Sequence, residues 1–169
     1  ILQLEIPTGV VEHIIRKAKQ YHVYTILNAA PAKEMDREVL KMVDCLIVNE
    51  TEASFYAGAD MTDGDMVRAH ADRLRQLTDG TVIVTLGSKG SMLLGEEGAV
   101  PIDPVKVERV TESTGAGDSY IGAFAYGKFK GMTDLQACCF AARAASVTVT
   151  KIGAQEAMPC LSEMNESRL

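Results

Sequence analysis

The chain has 169 residues, 47% hydrophobic and 24% charged, with a formal net charge of −6. That length supports one domain with a substantial core, while the acidic balance, the absence of a Lys/Arg run and the absence of any membrane-length apolar run argue against a nucleic-acid surface or a membrane span. Cys45, Cys138, Cys139 and Cys160 show no C-x-x-C spacing and read as reduced core thiols of a cytoplasmic protein, not as a disulfide frame or zinc site.

In chain order, short apolar runs at 2–5, 23–28, 45–49 and 82–86 predict strands buried on both sides. They alternate with predicted helices at 9–21, 36–41, 50–57 and 63–78. Strand alternating with helix predicts an α/β fold: a parallel sheet with flanking helices in a Rossmann-like three-layer arrangement. The start, Ile1-Leu2-Gln3-Leu4-Glu5, has no Met and no basic stretch, and alternates like a strand already under way. Glu5 closes that strand, where parallel sheets collect ligands. Asn49 ends the third strand and Glu52 lies on the turn that follows. Asn offers donor and acceptor to phosphate oxygens, and a Glu can hold magnesium through its waters. On spacing alone, an Asn capping a helix is the more common explanation.

Thr85, Leu86, Gly87, Ser88, Lys89 and Gly90 follow the fourth strand, and no Walker pattern is present. A hairpin turn accounts for these glycines, with Lys89 as a solvated lysine or a phosphate partner. Beyond residue 86 the pattern changes to short runs at 91–94, 99–102 and 105–110 separated by Gly- and Pro-bearing turns, which predicts an antiparallel meander. Two longer helices are predicted at 117–130 and 134–150. Thr133 with Gln136 forms a capping box for the second, and Gly131 terminates the first. Small residues on the second helix, Ala142 among them, suit close packing or a ligand. Residues 160–169 read as a polar tail, short surface helix or frayed end. No linker or repeat divides the rest, so 1–159 is expected to be one domain.

The segment Glu112-Ser113-Thr114-Gly115-Ala116-Gly117-Asp118 carries the chemistry. Gly115, Ala116 and Gly117 let successive N–H groups converge as an anion-binding nest, reinforced by the helix start behind them. Asp118 then stands as a carboxylate base beside a phosphate cradle, as phosphoryl transfer to a hydroxyl requires. The alternative is a glycine-softened turn with Asp118 as a capping residue. His13, His22 and His70 form no catalytic constellation, which argues against hydrolase and zinc-enzyme chemistry.

Four motifs in order resemble the ribokinase, or PfkB, family of carbohydrate kinases: Asn49-Glu50-Thr51-Glu52, Thr85-Leu86-Gly87-Ser88-Lys89-Gly90, Thr114-Gly115-Ala116-Gly117-Asp118 and Lys151-Ile152-Gly153-Ala154-Gln155. Asn28-Ala29-Ala30-Pro31-Ala32 leans toward the ribokinase branch. The resemblance implies ATP- and Mg2+-dependent phosphorylation of the primary hydroxyl of a pentose, ribose to ribose 5-phosphate. It implies Asp118 as base, the Gly115–Gly117 amides on the transferring phosphoryl, and Glu5 on the sugar. It places Asn49, the 85–90 turn and Ala142 along the nucleotide, Glu52 on hydrated magnesium, and a homodimer for the full-length protein. Members are longer and carry a lid and sugar-binding glycines in an N-terminal half; the chain is therefore expected to be a C-terminal portion, inactive in isolation. Two departures weaken the family's K+ site: Glu112 stands where Asp is usual, and Ala157 where a serine oxygen can serve. Thr114, Thr148, Lys151 and Gly153 still offer backbone carbonyls there. Ala142 replaces a His or Asn beside adenine. These departures keep open a second reading, a non-catalytic nucleotide-binding or regulatory module derived from such a kinase.

Overall fold

The computed structural model describes residues 1–96 and 98–166, which fall into two compact units, Ile1–Pro101 and Ile102–Leu169. In the first unit the elements run β1 (Leu2–Gln3), α1 (Thr8–Gln20), β2 (Ile26–Asn28), α2 (Arg37–Lys41), β3 (Cys45–Asn49), α3 (Glu50–Ala57), α4 (Gly64–Ala69), α5 (Ala71–Arg75), β4 (Thr81–Thr85), β5 (Ser91–Gly95) and β6 (Gly98–Ile102). The strands lie in sequence order in one sheet. β1 to β4 are parallel, with Leu2 opposite Leu27, Ile26 opposite Cys45 and Asn49 opposite Thr85. β5 turns back antiparallel to β4, and β6 lies beside it.

Alternate strand positions Leu27, Leu46, Val48, Val82, Val84, Met92 and Leu94 join Val11 and Ile15 of α1, Val39 of α2, Ala53 of α3 and Leu74 of α5 in one core. The intervening positions Ile26, Cys45, Ile47 and Ile83 are also buried. With both faces out of water, these strands hold no alternation of apolar and polar residues, so they read as continuous apolar runs.

The predicted helix 63–78 is two short helices broken at His70, whose backbone leaves the helical region. No Gly or Pro marks the break. Val67 and Leu74 on either side are both buried, so each piece is oriented by its own core contact. The remaining helices match the prediction to within one or two residues at each end.

The second unit holds α6 (Ala116–Phe129), α7 (Asp134–Thr148) and α8 (Leu161–Glu166). α6 and α7 form an antiparallel hairpin whose turn carries the predicted capping box: Thr133 accepts from the Gln136 N–H, and Gln136 accepts from the Thr133 N–H. A Cβ at Gly127 would lie 3.0 Å from the Ala137 Cβ, so a side chain there would hold the two helices apart. Tyr126 stacks on Phe140 with centroids 5.7 Å apart. The tail forms α8 as far as Glu166, and residues 167–169 lie outside the described residues.

The strand expected at 23–28 is only Ile26–Asn28, because Val23 and Tyr24 are exposed and lie outside the ladder. Residues 105–110 do not form a strand; the segment is irregular, none of its side chains is buried, and Val110 is 61% exposed. A β-prone run becomes a strand only where another strand's N–H and C=O groups meet it, and here the first ladder-like bonds are those of the Thr111 and Glu112 N–H groups to the Val149 carbonyl at the end of α7. The cysteines are all free, but only Cys45 and Cys138 are core thiols, since Cys139 and Cys160 are exposed. Burial pushes the Cys138 thiol up to about 12, which leaves it an inert apolar group.

Candidate active site

In the first unit the ends of the parallel strands gather three of the expected positions: Glu5 just past β1, Asn49 at the end of β3 and Thr85 at the end of β4, the last two as register partners. Glu5 is exposed and lies in a bend beyond the last ladder residue.

Asn49 and Glu52 form a complete capping box on α3. The Asn49 side chain accepts from the Thr51 N–H at 2.8 Å and the Glu52 N–H at 3.0 Å. The Glu52 carboxylate accepts in return from the Asn49 N–H at 2.7 Å. The residue is only 6% exposed, and burial raises its carboxyl above the usual range against the opposing pull of those Asn49 bonds. The structure thus gives the pair the capping role the spacing allowed. One Glu52 oxygen is committed to the cap; the remaining acceptor capacity is what a hydrated cation would use.

The turn after β4 is a single 3-10 turn at Gly87–Lys89, closed by the Leu86 N–H on the Gly90 carbonyl at 2.8 Å. Gly87, Ser88 and Lys89 are exposed, Leu86 is buried, and the Thr85 hydroxyl is turned to the Val48 carbonyl at 3.4 Å. Lys89 donates to the Thr62 carbonyl at 2.9 Å, so its ammonium is tethered to the protein and not simply solvated.

In the second unit, Gly115 takes φ +78 as the residue before α6, a conformation L side chains rarely adopt, and a Cβ there would meet the Ala154 carbonyl oxygen at 3.1 Å. The Ala116 N–H bonds to Ser113 O, and the Ser119 N–H to Gly115 O. The N–H groups of Gly117 and Asp118 have no backbone acceptor among the described residues, which leaves them directed out of a fourteen-residue helix start. Asp118 follows on the first turn. Its carboxylate is exposed and makes no hydrogen bond or ion pair among the described residues.

Glu112 ties this loop to the 151–154 segment. Its carboxylate accepts from the Gly153 N–H at 3.0 Å and from the Thr114 hydroxyl, and these two bonds, the first the larger, hold it below the ordinary carboxylate range. Thr148 is fully buried and lies 3.0 Å from the Ala144 carbonyl and 2.7 Å from the Ser119 hydroxyl. A carbonyl only accepts, so the Thr148 proton goes to Ala144 and Ser119 supplies the other. Lys151 pairs with Glu163 of α8, and Ala157 is fully buried. Of the six positions weighed for K+, the structure brings Glu112, Thr114 and Gly153 together, while the Thr148 carbonyl accepts from the Lys151 N–H at 3.1 Å and Ala157 has no side-chain oxygen.

Ala142 is half-buried on α7. One turn further along that helix, Ser146 lines a cleft of about 670 Å³ together with Val105, Val107, Arg109, Thr111 and Thr150. The sequence reading missed this cleft because it took 105–110 for a strand. It also missed Lys33 and Tyr56, which meet behind Glu5: the Tyr56 hydroxyl donates to the Lys33 carbonyl at 2.8 Å, and the Lys33 ammonium donates to the Leu4 carbonyl. The available signals were the position of Tyr56 four residues after Glu52, and that of Lys33 directly after the Asn28–Ala32 motif.

The chain is 35% identical over 167 residues to the ribokinase of Staphylococcus aureus, covering 98% of this chain and 55% of that protein. It is 32% identical to the deoxyribokinase of Salmonella typhi, covering 98% and 54%. The structure of Arabidopsis thaliana ribokinase complexed with ribose and ATP superposes with a TM-score of 0.90 at 30% identity, covering 98% of this chain and 54% of that one. The chain spans about half the length of the curated relatives it matches. The family model for pfkB family carbohydrate kinase matches residues 1–161, and with its ribokinase-like mixed sheet the chain belongs to the pfkB family of carbohydrate kinases.

Proposed function

We propose that residues 1–159 are the catalytic and nucleotide-binding portion of an ATP-dependent pentose kinase that phosphorylates ribose at its primary hydroxyl. The observation that carries this reading is the start of α6: an exposed Asp118 carboxylate with no partner among the described residues, on a helix start where the N–H groups of Gly117 and of Asp118 itself have no backbone acceptor, behind a Gly115 that no other residue would replace without strain. Asp118 takes the proton of the sugar hydroxyl as its oxygen bonds to the γ-phosphorus. The bond to the β-phosphate oxygen breaks, and ADP leaves with that electron pair. The N–H groups of Gly117 and Asp118 stabilise the charge on the transferring phosphoryl, in place of the full Gly115–Gly117 set expected from the motif, because the Ala116 N–H is bonded to the Ser113 carbonyl; fixed dipoles suit this role because they need no reorganisation during the step.

Glu5 is the sugar contact in this reading. Asn49 and the 85–90 turn lie along the phosphates, and the cleft beside Ser146, one turn from Ala142, receives the base. Glu52, the one buried carboxylate among the described residues, fits magnesium held through its waters together with substrate oxygens, because that ion seldom uses an all-protein cage. Magnesium supplies charge neutralisation of the phosphates when bound. Glu112 is held by Gly153 and Thr114 and Ala157 has no side-chain oxygen, so we assign potassium a minor role. The deoxyribokinase relatives make 2-deoxyribose the second acceptor to assay.

Asp118→Asn tests the reading. The substitution keeps size and hydrogen bonding and removes the proton acceptor, so kcat should fall by about 10²–10⁴ while nucleotide affinity stays within a few-fold. Retention of more than about a tenth of the wild-type kcat would remove Asp118 from the base role.

A further inference from the structure

We propose that Lys33 is a positioning residue for the acceptor sugar, acting through the peptide group that joins Leu4 to Glu5. The inference rests on the pentose-kinase reading only for what Glu5 contacts. β1 ends at Gln3, so no strand ladder governs Leu4, yet Leu4 is fully buried and both of its backbone groups require partners. The loop after β2 supplies them. The Leu4 N–H donates to the Ala30 carbonyl at 2.9 Å, and the Leu4 carbonyl accepts from the Lys33 ammonium.

A peptide group is planar, so fixing the Leu4 C=O fixes the plane that also holds the Glu5 N–H, and with it the direction in which Glu5 leaves the sheet. Lys33 is held in turn by the Tyr56 hydroxyl on its own carbonyl at 2.8 Å. Burial raises the Tyr56 phenol above its ordinary value, which keeps it a donor at any working pH. Tyr56 stands on α3, one turn beyond Glu52, and α3 starts at the Asn49 cap. Helix α3, begun by its capping box, therefore carries the Tyr56 hydroxyl to Lys33, and Lys33 in turn holds the peptide group that precedes the residue assigned to the sugar. An apolar side chain of equal length could fill the space of Lys33, but only a donor satisfies the buried carbonyl.

The test compares Lys33→Met, Lys33→Arg and Glu5→Gln with wild type in the intact protein, using amide hydrogen exchange over residues 2–6 and initial rates with ribose and ATP varied separately. Lys33→Met should speed exchange over 2–6 while leaving the β4 segment Thr81–Thr85 protected, which shows that the fold persists. Its KM for ribose should rise by about tenfold, the consequence of a buried carbonyl losing its donor. Both kcat and the KM for ATP should stay within about twofold, and Lys33→Arg should restore most of the loss. Unchanged exchange over 2–6 would overturn the inference whether or not the protein phosphorylates ribose. Faster exchange with an unmoved ribose KM would also overturn it if Glu5→Gln raises that KM. If Glu5→Gln leaves the KM unmoved, or wild type turns over no pentose, the pentose-kinase assignment of Glu5 fails instead, and the exchange measurement alone still decides whether Lys33 holds this peptide group.

Discussion

Replacing Glu52 by Gln separates the structural and the ligand-binding roles of one carboxylate. Gln serves at the third position of a capping box as well as Glu does, so an oxygen remains for the Asn49 N–H. What is lost is a charge that burial disfavours. Because burial raises the folded-state pKa of Glu52 above its unfolded value, the folded protein binds the proton more tightly than the unfolded chain. Between those two pKa values stability therefore falls as pH rises, and above the folded value the whole desolvation cost is present. Glu52→Gln removes that slope. At neutral pH it should melt at or above the wild-type temperature, and the difference should shrink as pH falls toward the ordinary value of 4.5. Asn49→Ala is the control. It removes the acceptor for two N–H groups and should cost about 1 kcal/mol, a Tm lower by about 2–4 °C for a chain of this size. The assay is thermal unfolding from about pH 4 to about pH 8, with the wild-type curve subtracted so that Glu112 and Glu163, whose pKa values move the opposite way, cancel. The same variant should need more magnesium for half-maximal rate. A Glu52→Gln protein that loses as much stability as Asn49→Ala, with a pH slope parallel to wild type, would refute the desolvation argument. An unchanged magnesium titration would leave Glu52 a cap alone.

Gly115→Ala combines a strained φ of +78 with a Cβ 3.1 Å from the Ala154 oxygen, so it should lower stability by roughly 1–2 kcal/mol and nucleotide affinity with it; a melting curve and an ADP titration that both match wild type would contradict the αL requirement. Potassium should activate weakly compared with relatives that carry Asp and Ser at the positions of Glu112 and Ala157, because the longer Glu112 is held by Gly153 and Thr114 and Ala157 has no side-chain oxygen; strong selective activation over sodium in a coupled assay would show that backbone carbonyls form the site regardless.

The strands at 45–49 and 82–86 were legible to within one residue because burial on both faces leaves an uninterrupted apolar run in the sequence. The Thr133/Gln136 capping box was equally legible, and Asn49/Glu52 was recognised as a cap or a ligand pair. In both boxes the donors and acceptors lie within one helical turn, so residue order alone places them. The Gly115–Asp118 loop was readable for the same reason: its positive φ and the helix behind it are local properties. The deciding contacts elsewhere join distant residues. Lys33 reaches a carbonyl 29 positions away, and Glu112 an N–H 41 positions away. No composition or spacing signal encodes such pairs. The break at His70 and the failure of 105–110 to form a strand have the same origin, since each depends on which surface the segment meets and not on its own propensity.

The sequence by itself therefore determined the family, the parallel strands with their helices, and the loop that carries the candidate base, all through patterns closed within a few residues. Only the tertiary structure decided that Glu52 is desolvated in a cap, that Glu112 is occupied by Gly153 and Thr114, and that Lys33 holds the backbone behind Glu5. The physical reason is range. Helix periodicity, capping and turn chemistry act over one to four residues and leave their mark in sequence order. Desolvation and long-range hydrogen bonds depend on neighbours that chain folding alone brings within 3 Å or so of each other.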